Sequence, residues 1–112
     1  MSLKTDYLDG ANGYTTKMAA VFAAGEQFVV DNRATLQSEL EAQAAQGVKT
    51  FDVTVITVFE TAYLRLEGNH MNTFFSGIKA GLFAEDIYEQ EVSLSLDTSD
   101  TVTTSVIFSF TL

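Results

Sequence analysis

The chain of 112 residues contains no cysteine and no proline. Without cysteine it can form neither a disulfide nor a thiolate metal site, so its stability must come from packing. Without proline, no segment is stiffened by a fixed backbone angle. Basic residues are scarce: Lys4, Lys17, Arg33, Lys49, Arg65 and Lys79 stand singly against fifteen acids, for a formal net charge of −9. Isolated cations lack the clustered basic footprint that neutralises phosphates, so a nucleic-acid partner is not expected. The same repulsion disfavours an anionic membrane surface. The plain consequence of the acidity is solubility. No stretch approaches the ~18 apolar residues of a membrane span. The opening Met1-Ser2-Leu3-Lys4-Thr5-Asp6 has no apolar core of a secretory signal, so the expected place is the cytoplasm or a particle into which the chain is built.

Catalytic motifs are missing too. There is no G-x-x-x-x-G-K-[ST], no G-x-G-x-x-G and no G-x-S-x-G, which leaves phosphate cradles and a nucleophile elbow unsupported and points away from an enzyme. His70 is the single histidine and must anchor any histidine-based chemistry. A hydrolase would need it beside Glu60 or Glu67; the plainer reading is a first-turn helix residue against a loop. Glu85, Asp86, Glu89 and Glu91 cluster around Tyr88, but they lack the spacing and the glycine of a calcium loop, so a solvated connection is the better reading. The turn Asp97-Thr98-Ser99-Asp100 suits backbone-bonding side chains, with calcium a weaker alternative. No metal or cofactor is expected.

What is present is core material. Nine Phe and four Tyr are large enough to dominate a small core. At this length a single domain, 1–112, buries roughly two-thirds of its unfolded surface. The clearest pattern closes the chain. Val92, Leu94 and Leu96 alternate with Ser93, Ser95 and Asp97; then Val102, Thr104, Val106, Phe108, Phe110 and Leu112 alternate with Thr101, Thr103, Ser105, Ser109 and Thr111. Period two is strand geometry, so this predicts a hairpin with one buried and one wet face, broken only by Ile107.

Upstream, Asp9-Gly10 and Asn12-Gly13 read as turns. From Tyr14 a helical stripe follows: Met18, Val21, Phe22, Gly25, Phe28 and Val29. Gly25 marks either a close crossing of another backbone or a tolerated defect. Asp31-Asn32 suggests a break with a cap for a new helix, so two helices are favoured over one bent one across 14–46. The second helix carries Leu36, Leu40 and Ala44 and stops at Gly47. Val48 to Phe59 is β-rich and turns apolar on both faces at its end, which predicts a central strand. Thr61 to Leu66 reads as a short further strand. Asn69 is a plausible cap for a helix carrying Met71, Phe74, Phe75, Ile78 and Leu82, whose Gly77 and Gly81 suggest close packing on a sheet.

The order α-α-β-(β)-α-β-β predicts an α+β domain: an antiparallel sheet of three or four strands covered by amphipathic helices. The core face of the hairpin should meet the Met71–Leu82 stripe. The wet face Thr101, Thr103, Ser105, Ser109 and Thr111 lacks the Lys and Pro that guard strand edges, so it is a candidate contact between copies of the chain. The opposing possibility is that this strand is already flanked on both sides. A pocket lined by Tyr63, Phe74 and Tyr88, between helices and sheet, is the alternative: a small-ligand module.

The run Phe59-Glu60-Thr61-Ala62-Tyr63-Leu64-Arg65-Leu66 through Glu85-Asp86-Ile87-Tyr88, the Ser/Thr-rich hairpin and the opening Tyr7-Leu8-Asp9-Gly10-Ala11-Asn12-Gly13-Tyr14 resemble small uncharacterised proteins of T4-like marine cyanophages. The likeness includes no functional motif, so it transfers no site residue. It implies a phage setting, in the host cytoplasm or the virion, where small α+β proteins serve as structural or assembly subunits alongside other virion proteins. The element order is also similar to ring-forming tail-terminator-like folds, at the level of fold alone.

Overall fold

A computed structural model describes residues 2–58, 68–97 and 103–112. Its elements are α1 (Leu3–Asp31), α2 (Arg33–Ala45), β1 (Thr50–Val58), α3 (Gly68–Phe83), a 3-10 turn (Glu89–Glu91), β2 (Val92–Asp97) and β3 (Thr103–Thr111). The fold is α+β. The expected order holds, apart from the optional strand at Thr61–Leu66, which lies outside the described residues.

The helix α1 starts eleven residues earlier than Tyr14. The Ser2 side chain accepts the Thr5 amide at 3.1 Å and opens the helix. The turn dipeptides Asp9-Gly10 and Asn12-Gly13 are therefore helical. Their weak propensity is overridden because adding turns to a packed helix needs no new nucleus. The break at Asp31-Asn32 is real, but its chemistry is reversed. Neither side chain caps α2: Asn32 sends its amide and its Nδ2 back to the Phe28 carbonyl, at 3.1 and 2.8 Å, and the Asp31 carboxylate accepts Gln27 Nε2 at 2.8 Å. The helix α2 ends as expected, with Gly47 at φ 71. Helix α3 begins at Gly68, one residue before Asn69, so Asn69 lies inside the helix rather than at its cap.

The sheet order is β1-β3-β2, antiparallel throughout. The register stacks Phe51 and Val92 on either side of Phe110, Val53 and Leu94 beside Phe108, and Val55 and Leu96 beside Val106. These rows form the covered face, so the alternation predicted for the hairpin holds. Strand β3, not β1, is central. Ile56 is 68% exposed, so β1 is not covered on both faces there. Leu112 falls just past the end of β3, its amide donating to the Lys49 carbonyl at 2.8 Å, and is about half exposed rather than in the core.

One cluster joins the sheet face to the helices: Val21, Val29 and Leu36 meet Phe74, Ile78 and Leu82 and the strand residues Val53, Val55, Val92, Val106, Phe108 and Phe110. Phe28 links the layers, edge-on to Phe74 at 5.6 Å and stacked on Phe108 at 6.2 Å. Helices α1 and α3 run parallel, since Met18 lies by Thr73, Gly25 by Gly77 and Val29 by Gly81. Gly77 and Gly81 thus pack on α1 and not on the sheet. The reason lies on α1: Gly25 offers backbone where a sheet would offer side chains. A Cβ on Gly25 would stand against the Phe74 carbonyl oxygen and 2.8 Å from the Ile78 nitrogen. The close-crossing reading of Gly25 is the one the structure shows.

Candidate interaction surfaces

Three surfaces have the shape to engage something. The first is the opening half of α1. From Ser2 to Lys17 every residue except Ala11 is exposed, and the molecule is drawn out to 64 × 32 × 20 Å. A helix of 29 residues rises about 43 Å, so its first four turns form an arm that no described element covers. The arm carries large apolar side chains in the open: Leu3 is 88% exposed and Tyr7 73%, with Leu8 and Tyr14 near half. Tyr7, Ala11, Tyr14, Met18, Val21, Gly25 and Phe28 follow steps of four and three without a break. The lower part of that stripe is buried against α3, and the upper part meets nothing among the described residues. Reading Gly10 and Gly13 as turns hid this stripe, although its spacing runs straight through them.

The second surface is the uncovered sheet face. It consists of rows Asp52–Ser109–Ser93, Thr54–Ile107–Ser95 and Ile56–Ser105–Asp97. Of the candidate contact residues, Ser105 and Ser109 are half-buried here and Thr111 is exposed at the strand's end. Thr101 and the side chain of Thr103 lie outside the described residues. Because β3 is flanked on both sides, its backbone offers no free edge. Among the described residues the outer strands are β1 and β2, and β2 likewise carries neither Lys nor Pro.

The third is a cleft of about 170 Å³ between α2 and the end of α3, walled by Val29, Leu36, Leu40, Leu82 and Ile87. Arg33 closes its rim on Glu85, with Nε–Oε1 at 2.8 Å and Nη2–Oε2 at 3.2 Å. Such two-point pairing is the strong geometry for guanidinium and carboxylate. Hydrogen bonding to Glu85 raises the Arg33 pKa, and hydrogen bonding from Arg33 lowers that of Glu85. Gln37 accepts from Arg33 and donates to Glu41, extending the rim along α2. The Arg33–Glu85 pair spans 52 residues and had no signal in local sequence.

This arrangement accounts for the acids at 85–91. Glu85 holds Arg33. Asp86 takes the left-handed position after α3, at φ 64. Glu89 lies 3.6 Å from Lys79, and Glu91 accepts the Tyr88 amide at 2.9 Å. Among the described residues no group of three His, Asp or Glu could hold a metal ion. No helix among them is long and apolar enough to cross a membrane.

The aromatic pocket is not assembled as expected. Phe74 is sealed in the core between Phe28 and Phe75, because its turn of α3 faces α1. Tyr88 is half exposed, edge-on to Phe83 at 5.8 Å. Tyr63, Glu60, Glu67, the side chain of His70 and the tip of the 97–100 turn lie outside the described residues. Comparison with protein-family models, curated proteins and solved structures gave no match.

Proposed function

We propose that this protein is a non-enzymatic structural or assembly subunit that works as a homo-oligomer, in the tailed-phage setting its sequence resemblance suggests. The observation that carries the reading is the α1 arm. Its apolar stripe is the same one that forms the core seam lower down, yet Leu3, Tyr7 and Tyr14 stand in water. Contiguous exposed apolar surface of this kind marks a protein contact. Solitary helices of about 15 residues are marginal in water, and Gly10 and Gly13 weaken this one further. A covering partner offsets both costs. The uncovered Ser/Thr sheet face and the outer strand β2 supply further surface for an assembly.

Light scattering coupled to gel filtration, over a hundredfold range of concentration, tests it. The expected result is a mass above 12.2 kDa that grows with concentration. The doubly substituted Tyr7→Ser/Tyr14→Ser chain should remain a monomer and melt as the wild-type chain does at concentrations where that chain is also monomeric, since both side chains are exposed. A wild-type chain that stays monomeric at millimolar concentration refutes the reading.

A second reading, a small-ligand module, is favoured by the cleft beneath α2. That cleft of about 170 Å³, like the hollow of about 280 Å³ lined by Leu40, Ala44, Val48, Phe51 and Leu112, is smaller than the roughly 300 Å³ at which ordinary ligand sites begin, so this reading ranks below assembly. Thermal-shift screening of short aliphatic acids and alcohols tests it, with loss of any shift in Leu40→Gln as the check.

A further inference from the structure

We infer that the occupant of the α1 arm is the same arm of a second copy, laid antiparallel. The inference rests on the assembly reading above and adds the partner surface and its direction.

The seam itself asks for a helix. Alternating steps of four and three are the spacing by which one helix presents a continuous edge to another. At Val21, Gly25 and Phe28 that edge already meets a helix, α3. From Tyr7 to Tyr14 the edge continues with side chains of unequal size, Tyr7 and Tyr14 separated by Ala11. In an antiparallel pair centred between Ala11 and Tyr14, the Tyr14 ring of each arm falls opposite the Ala11 of the other, which lets the two edges interlock.

Charge selects the direction. Between Leu3 and Lys17 the charged residues are Lys4, Asp6, Asp9 and Lys17, which cancel. The whole net charge of −9 therefore resides in the rest of the chain. The arm is a neutral handle on a strongly acidic body. A parallel pair would set Glu26 beside Glu26 and Asp31 beside Asp31, and bring the two bodies together. An antiparallel pair puts the bodies at opposite ends, more than a Debye length apart (about 8 Å at physiological salt). It also opposes the two helix dipoles.

The size sets the strength. Overlap of two 15-residue arms spans about 22 Å. It covers on the order of 800 Å² in all, below the roughly 1,200 Å² at which stable specific interfaces begin and in the range of weak, transient ones. The pair is therefore reversible, and other surfaces such as β2 remain free to extend an assembly.

The absence of cysteine makes a clean test. Glu26→Cys places a nitroxide label on an exposed part of α1, in the body and away from the arm. Antiparallel overlap centred on the arms separates the two labels by about 40–50 Å at 1.5 Å per residue. Parallel overlap brings them within about 15 Å. Pulsed dipolar spectroscopy on the full chain distinguishes these. The expected result is a dimer by light scattering with the long distance, and loss of both in Tyr7→Ser/Tyr14→Ser. A short distance, or a dimer that survives the double substitution, overturns this inference and leaves the assembly reading standing. A chain monomeric at every concentration overturns both. A double substitution that unfolds the monomer instead shows the arm to be covered by its own chain, and also overturns the inference.

Discussion

Replacing Gly77 by alanine should destabilise this protein, although alanine is the better helix former. In an exposed helix interior the change would gain about 1 kcal/mol. Here the new Cβ would stand against the Phe22 carbonyl oxygen and 3.0 Å from the Gly25 Cα. Both are backbone atoms in the middle of α1, so no side-chain rotation relieves the contact. Carbon atoms settle at about 3.5–4.0 Å, so the helices must separate by up to about 1 Å. A gap of that size removes a quarter to a half of the dispersion energy of the contacts along it. The contacts at stake include Phe28 on Phe74, and through Phe28 the stack on Phe108. Overpacking of this kind costs about 1–3 kcal/mol, more where backbone must move. Net of the propensity gain, we expect Gly77→Ala and Gly25→Ala each to lose about 2 kcal/mol, a drop of roughly 8 °C or more in Tm.

The same two helices carry the controls. A Cβ at Gly10 or Gly13 meets nothing within 4 Å, so alanine there should be neutral or gain up to about 1 kcal/mol. At Gly81 the new Cβ would come to 3.0 Å from the Val29 side chain, which can yield, so the loss should lie between these extremes. Urea unfolding followed by helical circular dichroism gives all five values, at low concentration so that association does not contribute. Unchanged m-values would show that the comparison is one of stability. If Gly77→Ala proves as stable as the parent, the α1–α3 backbone contact is wrong, and the seam built on it fails too.

Thr104 is fully buried on the core face of β3, and its hydroxyl has no partner among the described residues. Thr104→Val keeps the shape and removes the unpaired group, so stability in urea should rise by about 1 kcal/mol; a loss would mean the hydroxyl is bonded in solution. Helices α2 and α3 end alike. The amides of Gly47 and Val48 return to the carbonyls of Ala44 and Gln43, and those of Asp86 and Ile87 to Phe83 and Leu82. Both motifs need a left-handed residue, filled once by Gly47 and once by Asp86. Asp86→Gly should therefore stabilise by about 0.5–1 kcal/mol and Gly47→Ala should cost about 1 kcal/mol, as thermal melts would show. Glu85 is held below its ordinary pKa by the Arg33 hydrogen bonds. Its contribution is thus present above the unfolded carboxylate pKa and fades as pH falls through the lowered folded value. The protection of α2 amides, taken relative to the intrinsic exchange rate at each pH, should fall on acidification through that window in the parent, and should be low and insensitive to it in Glu85→Gln.

The elements legible in the sequence were those whose pattern is local and repeated. The hairpin alternation, the Phe74–Ile78–Leu82 stripe and the Gly47 stop all depend on neighbours within one turn or one strand, and each is where its spacing put it. Strand order was harder. The apolar residues late in β1 suggested cover on both faces, but sheet position is set by which strand finds two partners. Strand β3 pairs with β1 through Thr50↔Thr111 to Val58↔Thr103 and with β2 through Val92↔Phe110 to Asp97↔Ser105. Nothing in β3 itself announces the longer-range pairing. The Arg33–Glu85 closure was invisible for the same reason. The glycines were half legible: Gly25 pointed to a backbone crossing, but its partner Gly77 was assigned to the sheet.

The arm shows how one local rule displaced another. Asp-Gly and Asn-Gly are turn signals because glycine leaves a helix cheaply, by about 1 kcal/mol relative to alanine. That preference decides the conformation of a free segment, where a helix must also be nucleated. It does not decide it for residues continuous with Val21, Gly25 and Val29, which are already fixed against α3. From there each residue toward Ser2 adds one backbone bond to an existing helix, and the Thr15 and Thr16 hydroxyls bond back to the Ala11 and Asn12 carbonyls at 3.1 and 3.0 Å. Two glycines thus lower the stability of the arm without ending it. A helix that is continuous with the core, weak in itself and apolar along the core's own stripe is stabilised by whatever completes that stripe. In the assembly proposed above, folding of the arm and its association would be one equilibrium, and the neutral charge of the arm would let a second acidic chain take part in it.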